Sequence, residues 1–82
     1  MTQANLSLQV QNTIAQTLGV DVSLVSPDLS IGEIPEWTSI GNLSIIAAIE
    51  ERFKIEIPLE DLFELTTVAS LINETRKLLS KS

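Results

Sequence analysis

The sequence contains no cysteine and no histidine. Without cysteine, no disulfide staples the chain and no side-chain thiol is available for chemistry. The two absences together exclude Cys/His nucleophile pairs, Ser-His triads and the usual zinc sites. Basic side chains are missing from the first 51 residues, which hold six carboxylates: Asp21, Asp28, Glu33, Glu36, Glu50 and Glu51. Residues 52–82 carry five basic and five acidic groups, so the net charge of −6 belongs to the first 51. Long apolar runs are missing too. The longest, Ile45 to Ile49, is far too short to span a bilayer. Met1-Thr2-Gln3-Ala4-Asn5 shows no basic region followed by an apolar stretch, so a cytoplasmic location is expected.

What remains is a chain of 82 residues, 44% apolar. That length predicts one domain over residues 1–82. The apolar content suffices for folding, unlike that of a disordered acidic tail. Acidic surface repels phosphate backbones and anionic membranes, so neither nucleic acid nor a membrane is an expected partner. Basic protein partners are favoured through steered encounter. A carboxylate-based enzyme needs two acids held in a cleft. So small a chain promises none, and neither catalytic residues nor a metal site are expected. A monomer is expected.

Leu6, Val10, Ile14 and Leu18 draw one stripe on a first helix over about residues 4–18. Gly19 ends it, since glycine accepts the left-handed cap conformation. Residues 19–38 read as a long connection, interrupted by Pro27, Gly32 and Pro35. Val20, Val22, Leu24, Val25, Leu29, Ile31, Ile34 and Trp37 are candidates to pin it. The second helix runs from about Ser39 to Phe53, with Thr38 as its cap. Leu43, Ile46, Ile49, Glu50 and Phe53 fall on or beside one of its faces, and Ile40, Ala47 and Glu51 toward another. Ile55-Glu56-Ile57-Pro58 is extended, because proline disfavours helix in the residue before it. Pro58 suits the first position of a short third helix over about 58–64. A fourth helix follows from about Thr67 to Leu79, with a stripe of Val68, Leu71, Ile72, Thr75, Leu78 and Leu79. The expected fold is all-α: a small four-helix bundle with a long first loop and a short third helix.

Ser39 stands at the start of the second helix, and a series of landmarks follows it: Glu50-Glu51, Phe53, Ile57-Pro58 and Thr66-Thr67-Val68. In this frame the chain resembles the acyl carrier protein family, which includes peptidyl and aminoacyl carriers. The family pattern has an Asp-Ser-Leu site, an acidic pair, an aromatic residue, an Ile-Pro turn and a Thr-Thr-Val helix start. The likeness covers Leu18-Gly19 to the end of the chain. Trp37 before the motif is similar to a subgroup of free-standing carriers in specialised pathways. The resemblance implies that Ser39 carries 4′-phosphopantetheine, installed from coenzyme A by a phosphopantetheinyl transferase, and that the arm's thiol holds an acyl or aminoacyl group as a thioester. It also implies a loading enzyme and downstream biosynthetic enzymes with basic docking patches. Helix N-termini favour phosphate, which agrees with that placement.

Three departures stand out. Thr38 replaces the family aspartate, which keeps a capping hydroxyl and loses a charge. Ile40 replaces leucine and keeps the apolar contact. Gly41, Ser44 and Ala47 leave the first turns of the second helix nearly uncharged, where fatty-acid carriers often have acids or a larger apolar residue. The resemblance thus implies recognition by Thr38, Ile40, Ala47, Glu50 and Glu51 of partners other than a housekeeping fatty-acid synthase. Blander readings stand beside these. Glu50-Glu51 also fit a solvated helix face, Ile40 fits a core, and the whole fits a carrier-like bundle that is never modified and serves as an interaction module.

Overall fold

The computed structural model describes residues 3–81; the sequence reading at Met1 and Thr2 lies outside them. The first stripe forms helix α1, Gln3–Leu18. Leu6, Val10 and Ile14 are buried along it and Leu18 is half-buried. Gly19 takes φ +72° and terminates the helix, its N–H donating to the Ala15 carbonyl at 2.8 Å. Thr13, although buried, has its hydroxyl satisfied by the Gln9 carbonyl at 2.8 Å.

The long connection is pinned where the sequence suggests, with two exceptions. Val25 and Trp37 are fully buried, and Val20, Leu29, Ile31 and Ile34 pack against the core. Val22 and Leu24 are exposed. They lie in a one-turn 3-10 helix whose cap, Asp21, accepts the Ser23 N–H at 2.8 Å and turns both side chains outward. Backbone stitches hold the rest of the loop. Ile31 N–H donates to the Thr66 carbonyl at 2.8 Å, and Val68 N–H to the Leu29 carbonyl at 3.0 Å. They form an isolated antiparallel bridge between Ser30 and Thr67. Gln11 Nε2 adds a bond to the Val25 carbonyl at 2.7 Å.

Helix α2 spans Ser39–Phe53. Its buried face is Asn42, Ile45, Ile46, Ile49 and Phe53. Leu43, expected on that face, is 59% exposed. The helix is apolar nearly all round, so periodicity alone admits two faces about 100° apart, and packing against α1 and α3 selects one. The short helix Leu59–Glu64 is 3-10 rather than α, and Pro58 is its extended cap at ψ 141° rather than its first residue. Helix α3, Val68–Lys81, buries Val68, Leu71, Ile72 and Thr75. Thr67 and Ser70 cap it reciprocally: Ser70 N–H donates to Thr67 Oγ1 at 3.0 Å and Thr67 N–H to Ser70 Oγ at 3.1 Å. The all-α bundle of the sequence reading is therefore the observed architecture.

Gly41 lies where α2 crosses the loop. A Cβ there would stand 3.0 Å from the Glu36 carbonyl oxygen and 3.3 Å from Leu18 Cδ2. Gly41→Ala gains about 1 kcal/mol of helix propensity. It loses about 1–3 kcal/mol to crowding against backbone that cannot swing aside. The expected net is a loss of roughly 1 kcal/mol, read as a lower urea midpoint; a stabilised variant contradicts the close approach.

Candidate functional site

Thr38 is extended, at φ −97° and ψ 178°, and its hydroxyl accepts the Gly41 N–H at 3.0 Å. That cap places Ser39 in the first turn of α2 with its side chain exposed. Helix geometry leaves the first N–H groups without intrahelical acceptors, and with them a partial positive charge. The loop before Ser39 is held firmly. Gly32, at φ +88°, donates its N–H to the Trp37 carbonyl at 2.9 Å, and Trp37 N–H donates to the Ile34 carbonyl at 3.1 Å.

A groove opens beside Ser39, with a volume of about 520 Å³. Leu43 and Ile46 of α2 form one wall, and Leu59, Leu62 and Phe63 of the short helix form the other. Its lining is overwhelmingly apolar, and Phe63 at its rim is 90% exposed. Its base includes Asn42, whose Oδ1 accepts Trp37 Nε1–H at 3.0 Å and whose Nδ2 donates to the Leu65 carbonyl at 3.0 Å.

The residues singled out in the sequence do not form one cluster. Thr38, Ser39 and Ile40 share the N-terminal turn, and Ile40 is 77% exposed. Ile40, Ala47 and Glu51 lie along one exposed face of α2. Glu50 and Glu51 begin about 16 Å along the axis from Ser39. Glu50 is turned toward the body of the protein, where its Oε2 accepts the Ile57 N–H at 2.8 Å and ties down the extended segment before Pro58. Asn42, Leu59 and Phe63 are not singled out by motif or spacing. One signal for Asn42 was present: it is an amide five positions after the only tryptophan, in an otherwise apolar helix face.

The short helix is tied to α3 by charge. Lys77 Nζ lies 3.0 Å from Glu74 Oε1 and 3.5 Å from Asp61 Oδ2. Hydrogen bonding with Glu74, helped by Lys77, holds the Asp61 carboxyl below the usual carboxylate range. Burial, reinforced by Asp61, pushes Glu74 up. The hydrogen bond to Glu74 raises Lys77. Among the described residues, no three carboxylates gather in a way that could hold a metal ion.

An exposed serine at a helix N-terminus, opening onto an apolar groove, fits a phosphodiester-linked arm with a long organic chain. The family model described as "Phosphopantetheine attachment site" matches residues 8–74. The chain belongs to the acyl carrier protein family. It is 34% identical over 73 residues to an acyl carrier protein of Rubrobacter xylanophilus, covering 89% of this chain and 90% of that one. It is 33% identical over 73 residues to one of Thermosynechococcus vestitus, with the same coverage of each chain. The solution structure of a holo acyl carrier protein from Geobacter metallireducens matches the fold with a TM-score of 0.80 at 24% identity, covering 92% of this chain and 87% of that one. The family is non-catalytic, and the group it carries is a phosphopantetheine arm. Membership implies dealings with a phosphopantetheinyl transferase and acyl-processing enzymes. Among the described residues, no helix is long and apolar enough to cross a membrane.

Two outcomes are expected from this geometry. Thr38→Ala removes the cap of α2 and is expected to cost about 1 kcal/mol, measurable by thermal or urea unfolding; unchanged stability contradicts the cap. The carboxyl pair predicts a pH signature. Asp61, lowered on folding, stabilises above its unfolded value of about 3.9 and ceases to as pH falls through its folded value. Glu74, raised on folding, does the reverse: stability declines as pH climbs from about 4.3 through its folded value. Glu74→Gln is expected to flatten that decline as pH rises above about 4.3 in urea melts; parallel profiles in both proteins contradict it.

Proposed function

We propose that this chain is a discrete acyl carrier, a cytoplasmic single-domain monomer, whose phosphopantetheine arm is joined to Ser39 through a phosphodiester. The observation that carries this reading is the exposed Ser39 hydroxyl in the first turn of α2, at the mouth of an apolar groove. The helix end favours the phosphate. The arm supplies the thiol that the chain lacks and holds its cargo there as a thioester. The groove favours an apolar acyl chain over a charged aminoacyl group, since burying an unpaired ammonium against Leu43, Ile46 and Leu62 is costly. The walls of the groove orient such a chain and exclude water from it.

Thr38 and Ile40 flank the attachment point, and Ala47 and Glu51 continue the same exposed side of α2. Basic docking patches on a loading enzyme and downstream enzymes suit the acidic first 51 residues. Glu50 acts mainly through its bond to Ile57, leaving Glu51 as the freer of the two carboxylates. The uncharged first turns of α2 favour a specialised biosynthetic pathway, because a partner selected by acids near the serine finds none there.

Intact mass after incubation with coenzyme A and a broad-specificity transferase tests the attachment. The expected result is one added phosphopantetheine, lost in Ser39→Ala. Thr38→Asp is expected to speed the reaction by restoring the missing charge. A chain that gains no mass with any such transferase is instead an unmodified interaction module.

A further inference from the structure

We propose that Asn42 is a positioning residue: a two-sided hydrogen-bond relay through which the short helix sets how Ser39 is presented. The inference rests on the reading of Ser39 as the attachment point. The geometry is specific. Asn42 is 8% exposed, and both its partners are buried. Trp37 Nε1–H donates to its Oδ1 at 3.0 Å, and its Nδ2 donates to the Leu65 carbonyl at 3.0 Å. An indole N–H only donates and a carbonyl only accepts, so one orientation of the amide satisfies both. The flipped amide sets donor against donor and acceptor against acceptor.

The partners lie on the two elements that flank the site. Trp37 ends the long loop, two positions before Ser39. Leu65 follows the short helix as its C-terminal cap. That helix supplies one wall of the groove, and Asn42 lies at the base of the same groove. Movement of the short helix therefore leaves the Asn42 amide with two courses. It follows Leu65 and strains the bond to Trp37, or it holds Trp37 and leaves a buried donor unpaired. The second course costs an unsatisfied buried donor, which favours the first, and in the first the displacement reaches the loop that aims Ser39. Apolar packing cannot transmit this so specifically, because it has no directional partner to lose.

The chain's single tryptophan makes the relay observable as one indole N–H resonance. Leu62 lies on the short helix, on the groove side. In the full chain, Leu62→Ala is expected to shift that resonance and to change kcat/KM for modification of Ser39 by a broad-specificity transferase. In an Asn42→Leu background the modification response should disappear and the indole should stay still. The expected coupling in kcat/KM is on the order of tenfold. Should Asn42→Leu fail to fold, Trp37→Phe breaks the same relay from its other end, and Leu62→Ala should then leave the modification rate unchanged. An indole resonance that ignores Leu62→Ala in the otherwise native chain overturns the proposal. So does a Leu62→Ala effect of equal size with and without the relay. The indole measurement needs no chemistry at Ser39, so it still decides the relay if Ser39 proves unmodified.

Discussion

The burial of Trp37 is the constraint on which the site depends. Ordering each loop residue costs about 1–2 kcal/mol of backbone entropy, and the connection between α1 and α2 is long. Apolar burial of one indole returns roughly 5 kcal/mol against that cost. It does so only if the indole N–H finds an acceptor, because an orphaned donor forfeits much of the gain. Asn42 provides it from within α2 and is itself satisfied by the carbonyl of Leu65. Loop, central helix and short helix thus meet at one amide, directly beneath the groove. The bridge between Ser30 and Thr67 serves the same end farther along the loop, binding it to the start of α3.

Charge is arranged around this frame rather than within it. The N-terminal turns of α2 hold no charged side chain, which leaves the helix end free to favour an anion. Acid gathers toward the far end of α2. There Glu50 does structural work at Ile57, while Glu51 faces outward. Among the described residues, the strongly interacting charges Asp61, Glu74 and Lys77 join the short helix to α3. The short helix that walls the groove is therefore held by two polar contacts, the Leu65 carbonyl to Asn42 and Asp61 to Lys77.

Legibility varied with the number of apolar faces. Helices α1 and α3 each carry one main stripe, so most of their buried apolar residues are legible from the period, while Thr13, Ala15 and Glu74 are buried beside it. Helix α2 is apolar on most sides. Its spacing therefore sets Leu43 on or beside the face of Ile46 and Ile49, where the buried residue is Asn42, one position or about 100° of rotation away. Val22 and Leu24 depart from expectation for a related reason. An apolar side chain in a loop gives no direction, and the Asp21 cap that turns these two outward is visible only in three dimensions. The sequence expectation sets Pro58 one position too far in. Proline suits both the first helical residue and the extended cap before it, and only ψ separates the two.

By itself the sequence determined the all-α class, the two clear stripes, the cap at Thr38 and the place of Ser39 at the head of α2. These follow from local rules: side-chain period, capping hydroxyls, and the conformations open to glycine and proline. The tertiary structure alone decided which face of α2 is buried, that a groove opens beside Ser39, and that Asn42 joins Trp37 to Leu65. Each of these depends on packing between elements distant in the chain, as where Asn42 meets Leu65, and no local period encodes such a meeting.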